Sequence, residues 1–466
     1  MTGTQHPNWE QIHNQTLEPY LNAQLDTMVQ QLMQLIRYPS ISQKPDHWDQ
    51  MEPLLNAVSA IMQPMGFETE ILQSPGCPSL LATLRTSPER PWVLIYNHMD
   101  VQPAEEPQWT TTPFEPELRD GRVYGRGSTD DKGPALSTLH AIHCLQQAGL
   151  PLPNIQVIYE TEEESGSKHF GQILDTYRDR FENPASILVS DTIFEGEHPA
   201  ITYRLKGLLR AEVSLTTGTQ DLHSGMVGGA AINPLNVLVQ ALSQCVDAQG
   251  HVTIPGVMAE LPPVSEAERA SLQRTAALFD LAKLKADTGQ AELYSDQAQE
   301  LLERIWLRPT FEVHGFEGVQ TEPGVIKTAL PYAVKAKITM RLVAGQDPDR
   351  VLQQLTDCLQ AVHPGITVRM LGASRGCFSA VDNRFMQAAV AACQAGFGRE
   401  PAFVGSGGTI GALPEFERVF VGAPLVLIAQ SLMSDGYHAP NENFQLQQMR
   451  NGFKTMAHYL LSLADL

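Results

Sequence analysis

Two kinds of apolar pattern run along the chain. Short, dense runs occupy Trp92–Tyr96, Ile155–Tyr159 and Ile187–Val189, with another at Leu425–Ile428. Continuous runs of this length predict strands buried on both faces, in a mostly parallel sheet covered by helices. The middle of the chain reads differently. Leu209, Ala211, Val213 and Leu215 alternate with Arg210, Glu212, Ser214 and Thr216, and the same period recurs in Val334, Ala336, Ile338, Met340 and Leu342 and in Ile366, Val368 and Met370. Alternation predicts strands with one face on a core and one exposed. Between them, Asn233-Pro234 and Asp347-Pro348 each set an N-cap before an N1 proline, ahead of helically spaced Leu235, Leu238, Val239 and Leu242 and of Leu352, Leu355 and Leu359. A polar, helix-prone stretch, Val264–Arg304, decorates this region. The fold class is therefore α/β: a mixed, mostly parallel sheet flanked by helices over residues 1–205 and 374–466. An α+β domain of antiparallel strands and two helices, residues 206–373, is inserted into it.

Composition narrows the partners. The 466 residues hold 32 Lys+Arg against 52 Asp+Glu, a net charge of −20, which argues against nucleic acid or an anionic membrane as partner. No apolar run approaches a membrane span, and the polar start Met1–Glu10 lacks the core of a signal peptide, so a cytoplasmic address is expected. Six scattered cysteines without a Cys-x-x-Cys pair read as buried thiols.

The chemistry gathers at strand ends. Trp92–Tyr96 runs into Asn97-His98-Met99-Asp100, Ile155–Tyr159 into Glu160-Thr161-Glu162-Glu163-Glu164, and Ile187–Val189 into Ser190-Asp191. In open α/β sheets ligands bind beyond the carboxyl ends of the strands, so these residues should converge. His98 and Asp100, two apart, point the same way in extended chain, a spacing that lets a carboxylate hold one imidazole nitrogen while the other binds metal. Asp130-Asp131 adds an acidic pair, before a predicted amphipathic helix that starts at Lys132-Gly133-Pro134. Adjacent aspartates cannot both face one point in a regular element, so a site that uses them needs unusual backbone. Oxygen and nitrogen donors without cysteine suit Zn²⁺, Mn²⁺ or Co²⁺ in a hydrolytic site. Three patterns are decoys: Ser165-x-x-Lys168 lacks its supporting motifs, His140 and His143 read as core packing, and Gly405–Gly411 breaks both nucleotide-loop spacings.

Five motifs in order carry a resemblance: His98-Met-Asp100, Gly127-Ser-Thr-Asp130-Asp131-Lys-Gly133, Glu163-Glu164-Ser-Gly-Ser167, Ser190-Asp191 and Gly436-Tyr-His438-Ala-Pro-Asn-Glu442. The chain resembles the co-catalytic di-zinc metallopeptidase family of carnosinase and cytosolic non-specific dipeptidase, glutamate carboxypeptidase, aminoacylase, acetylornithine deacetylase and succinyl-diaminopimelate desuccinylase. The carnosinase and non-specific dipeptidase branch looks nearest, through Gly125–Pro134 and Asp221-Leu-His-Ser-Gly225. The resemblance implies two divalent metal ions per chain, Zn²⁺ foremost with Mn²⁺ or Co²⁺ as alternatives. Asp130 would bridge them, His98 and Asp191 would complete one site, and Glu164 and His438 the other. It implies a cis Asp130–Asp131 peptide, Glu163 as the general base for a water bridging the metals, and Asp100 orienting His98. The insert would be a lid through which a homodimer forms. Within it, His223 would stabilise the oxyanion across the interface, and Arg341, with Gly408 and Thr409, would hold the substrate carboxylate.

Two departures limit the comparison. Gly405-Ser406 stand where the branch carries an Arg-Glu pair, and Thr161 where a glycine is common. The activity implied is amide hydrolysis of dipeptides or short peptides. An N-acyl amino acid deacylase or desuccinylase on the same scaffold is the alternative, and a non-catalytic metal-binding relative the third reading.

Overall fold

A computed structural model describes residues 9–464; residues 1–8, most of the polar start, lie outside them. The chain forms two compact units. One takes the described residues up to Tyr203, Ser379–Val404 and those from Ile410 onward; the other takes Arg204–Phe378 and Gly405–Thr409.

The first unit is built on a twisted mixed sheet with strands in the order Glu68–Leu72, Ser79–Leu84, Asn154–Glu160, Trp92–His98, Ser186–Val189, Leu425–Ile428 and Ala200–Leu205. The four apolar runs supply its centre, and Asn154–Glu160, Trp92–His98, Ser186–Val189 and Leu425–Ile428 pair parallel. Parallel strands need helices on both faces. Gly133–Gln147 packs on Trp92–His98 and against Glu18–Ile36 and Leu446–Leu463. Tyr96, Phe170 and Phe416 meet edge to face, with centroids 5.2–5.8 Å apart; such pairs add ~0.5–1.5 kcal/mol each beyond the area they bury.

The helix after Lys132 is not amphipathic: residues 131–142 are all buried, because sheet and helices enclose it. Its polar groups are satisfied internally, Ser137 and Thr138 donating to the carbonyls of Gly133 and Pro134, and His140 meeting Tyr20 and Gln31. The strands Glu68–Leu72, Ser79–Leu84 and Ala200–Leu205 extend the sheet beyond the four apolar runs; in the last, buried Thr202 and Arg204 interrupt the apolar residues.

The main sheet of the insert has four antiparallel strands rather than three, ordered Glu312–Glu317, Ala333–Leu342, Gly207–Thr216 and Thr367–Ser374. Glu312–Glu317 is an exposed edge strand, so burial imposes no alternation on its sequence. The alternating residues Leu209, Ala211, Val213 and Leu215 pack with Val334, Ala336 and Ile338 under the helices Pro234–Leu242 and Pro348–Val362. Both helices are capped as their sequences predict: the Asn233 side chain accepts from Leu235 N, and that of Asp347 from Asp349 N and Arg350 N. The loop Gly405–Thr409 belongs to this unit for local reasons. A side chain at Gly405 would meet Trp306, while Thr409 donates to the Lys206 carbonyl.

Candidate metal centre

Strand register brings the acidic segments together. Trp92–His98 pairs residue for residue with Asn154–Glu160, His98 opposite Glu160, and Tyr96 lies opposite Val189. Three segments therefore leave the sheet at one end, carrying Asp100, Glu163-Glu164 and Asp191. His98 is the last residue of its strand, so rigid sheet sets its ring.

Asp130 comes from elsewhere. The run Ser128–Lys132 leads into the helix Gly133–Gln147, but Asp130 itself departs from helical backbone (φ −124°, ψ 87°), and the Asp130–Asp131 peptide is cis. The two aspartates face different partners. Asn97 Nδ2 donates to Asp131 at 2.7 Å, whereas the Asp130 oxygens face His98 Nε2 at 2.9 Å and His438 Nε2 at 3.0 Å. His98 Nε2 also lies 3.8 Å from Asp191, and His438 Nε2 3.3 Å from Glu164. Two ligand groups result, His98–Asp130–Asp191 and Asp130–Glu164–His438, in each of which the donor atoms lie within 4.8 Å of one another. Asp130 belongs to both.

The surrounding contacts orient these donors. His98 Nδ1 lies 3.1 Å from the Asp100 carbonyl and 3.5 Å from its carboxylate. The Asp100 carboxylate accepts Glu163 N at 3.2 Å and Glu164 N at 2.9 Å, so it grips the glutamate turn as well as facing the histidine. Glu162 turns away and accepts from the backbone N–H and ring of His169. Thr161, the departure from glycine, donates to the Pro78 carbonyl and is buried without conflict.

Charge follows burial. Burial and the neighbouring Asp191 carboxylate push the Glu163 acid well above its ordinary range; burial and Asp130 push Glu164 up to about 7. Burial alone would neutralise His98, but Asp100, Asp130 and Asp191 hold its protonated form far above its usual pKa. Hydrogen bonds to Asp130 and Glu164 raise His438 to about 10. Burial opposes ionisation of Asp130, yet the two imidazoles keep its carboxyl well below the ordinary value. Carboxylates thus outnumber the bases among them, and the nearby Lys132 points its ammonium at Leu35 O, Tyr38 O and Ser40 Oγ instead. An excess of carboxylates over bases, two imidazole nitrogens and no thiol together make a donor set that fits divalent cations.

The remaining predicted residues lie in the second unit. His223 is exposed, its Nδ1 accepting from Gly225 N on the short strand pair Leu222–His223 and Ala329–Leu330. Arg341 sits on the polar face of its strand and donates to Thr409 Oγ1 at 3.3 Å, and Gly408 N donates to Ser406 Oγ. Sequence reading missed Gln102, which donates to Glu164 at 2.6 Å, and Gln43, which donates to Gln102 Oε1 and the Glu164 carbonyl. It also missed Tyr437, whose hydroxyl donates to Asp191 at 3.2 Å. Adjacency was the available signal: Gln102 lies two residues beyond Asp100, and Tyr437 directly precedes His438.

The model of peptidase family M20/M25/M40 matches residues 94–462. A Beta-Ala-His dipeptidase of Homo sapiens is 33% identical over 399 residues, covering 84% of this chain and 78% of the relative. A Cys-Gly metallodipeptidase of Saccharomyces cerevisiae is 30% identical over 416 residues, 86% of this chain and 84% of the relative. Among solved structures, an M20 family metallo-carboxypeptidase of Sulfolobus solfataricus superposes with a TM-score of 0.83 at 27% identity, covering 94% of this chain and 99% of that one. With the mixed sheet, the shared aspartate and the glutamate turn in place, the chain belongs to the M20/M25/M40 peptidase family, and it is a metallopeptidase.

Proposed function

We propose that this enzyme hydrolyses the amide bond of dipeptides or short peptides at a centre of two divalent ions per chain. His98, Asp130 and Asp191 would hold one ion and Asp130, Glu164 and His438 the other; Zn²⁺ fits this donor set, with Mn²⁺ or Co²⁺ as alternatives. The observation that carries the reading is the pair of ligand groups sharing Asp130, with Glu163 beside them. Bound cations would polarise the scissile carbonyl and acidify water.

The protein's own residues do the rest. Glu163 takes a proton from the attacking water and passes it to the leaving amine, a step worth ~10²–10⁴-fold for a positioned acid–base group. Asp100 holds the Glu163 and Glu164 amides and faces His98. In the second unit, which serves as lid and dimer interface, Arg341 with Gly408 and Thr409 holds the substrate carboxylate, and His223 stabilises the oxyanion of a partner protomer's site. The two curated relatives are named as dipeptidases, which favours peptides over N-acyl amino acids as substrate. A cytoplasmic setting suits six cysteines of which none is in a disulfide, and no helix among the described residues is long and apolar enough to cross a membrane.

The test is amine release by chelator-stripped enzyme restored with Mn²⁺ or Zn²⁺, across dipeptides, tripeptides and N-acyl amino acids. Metal-dependent cleavage of dipeptides is expected, lost at least ~100-fold in Glu163→Gln with metal content unchanged. Metal-independent turnover, or an active Glu163→Gln, would overturn the reading. For the dimer, mixing inactive His223→Ala with inactive Glu163→Gln should restore activity if His223 acts across the interface; no recovery from a mixed dimer would refute the trans role.

A further inference from the structure

The motif that ends in Glu442 contributes His438 to the centre, but the fourth residue after it makes the denser set of contacts. Glu442 is fully buried. One carboxylate oxygen accepts Arg126 Nη1 at 2.9 Å and Gly127 N at 3.0 Å; the other accepts Thr129 N at 3.0 Å and Asp130 N at 3.1 Å. Three of these four donors are backbone amides of the loop that carries the shared ligand.

We propose that Glu442 is a positioning residue that fixes the backbone of residues 127–130 and so aims the Asp130 carboxylate at both ligand groups. The amides of Thr129 and Asp130 lie ahead of the helix Gly133–Gln147, where the backbone is not regular helix at Asp130, and buried backbone N–H groups there need an acceptor from elsewhere. A local Ser, Thr or Asn cap could satisfy them, yet here the acceptor comes from more than three hundred residues away in the chain. That acceptor stands on the segment that also delivers His438. Gly436, at φ 77°, starts a turn so tight that a side chain there would come within 3.4 Å of Glu442 N, and the turn brings the His438 ring and the Glu442 carboxylate to the same aspartate. One reaches the Asp130 side chain, the other its backbone amide. A merely space-filling role does not account for a buried acid with both oxygens saturated by one loop, because an apolar residue would fill the volume without the cost of desolvating a charge.

The inference rests on the metal-centre reading, and the experiment separates the two. Chelator-stripped full-length protein is titrated with Mn²⁺ by calorimetry for parent, Glu442→Gln, Glu442→Asp and His438→Ala, with the melting temperature of each metal-free protein measured alongside. The amide of Glu442→Gln offers one acceptor oxygen and turns a donor toward backbone donors. Its affinity should fall at least tenfold at both ions, because Asp130 serves both, and kcat should fall by about 100-fold with KM within a factor of three. His438→Ala should weaken one ion only. Glu442→Asp, still acidic but one methylene short, should lie between parent and Glu442→Gln; it is the variant to read if Glu442→Gln fails to fold. A folded Glu442 variant that binds both ions within twofold of parent would overturn the positioning role. Unchanged binding in His438→Ala would instead overturn the metal-centre reading beneath it.

Discussion

Replacing Asp100 by asparagine separates two ways in which an acid can serve this centre. The Asp100 side chain is fully buried, and its two oxygens accept the Glu163 and Glu164 amides at 3.2 and 2.9 Å. Asparagine keeps the shape but has one acceptor oxygen, so its NH₂ group must face one of those N–H donors. A hydrogen bond to a charged group is worth ~1.5–3 kcal/mol, and a buried amide left without an acceptor costs ~1–3 kcal/mol. Both terms concern one bond, so about 3 kcal/mol is the expected disturbance of the glutamate turn. At ~1.4 kcal/mol per decade this is about 100-fold in kcat if the turn relaxes and Glu163 loses its aim. The assay is kcat and KM on a preferred dipeptide at saturating Mn²⁺, with metal content and melting temperature measured on the same samples. The expected result is a loss in kcat with KM and metal content held. A kcat within threefold of parent would refute the grip as a contributor to rate. A loss of metal content in proportion to activity would show that Asp100 acts through His98, 3.5 Å from its carboxylate, and not through the turn.

Two further outcomes follow from other groups. Burial lowers His140 and His458 to about 4, and the neighbouring His143 adds to the effect on His140. An unfolded histidine takes up its proton near pH 6.5 and these folded ones only near pH 4, so between those values the unfolded chain binds more protons and stability falls as pH falls. The loss is about 3 kcal/mol per histidine at most, and the double variant His140→Gln/His458→Gln should narrow the gap in melting temperature between pH 7 and pH 4.5; an unchanged gap refutes the assignment. Arg341→Ala should raise KM ~10–100-fold for substrates with a free carboxylate, the worth of one charge-assisted hydrogen-bonded contact, with kcat nearly held. An equal loss on a carboxyl-amidated dipeptide would count against carboxylate recognition.

How much of this was legible in the sequence depends on how far apart the causes lie along the chain. The central strands were readable because burial on both faces demands uninterrupted apolar residues, and the two insert helices because Asn233-Pro234 and Asp347-Pro348 carry their caps locally. The edge strand Glu312–Glu317 was not, since an exposed strand has no face that must be apolar. At the centre, the acids following each strand were visible as candidates, but their partners were not. Nothing near Asp100 indicates that its carboxylate will accept amides some sixty residues on. Nor does anything near Glu442 indicate that it will hold the backbone around Asp130. Sheet register and the packing of the buried helix decide those pairings, and both are long-range properties.

The segment Glu160–Glu164 shows how the fold assigns different work to like residues. Glu160 ends its strand opposite His98, inside the sheet, where it accepts from Tyr96 and Ser167 and burial raises it to about 8. Glu162 is spent on His169. The chain then makes one tight turn, and Asp100 accepts the next two amides, so Glu163 and Glu164 are the pair held facing His98, Asp130 and Asp191. Chemically these four acids are identical, and no local feature of the sequence ranks them. What ranks them is their phase relative to the end of the strand. Insertion of one residue at Thr161 would carry Glu162 into the Asp100 grip and move Glu164 out of reach of His438, leaving the count of acids unchanged. The centre is therefore specified by where the strand Asn154–Glu160 ends, and the acids beyond it take their roles from that boundary.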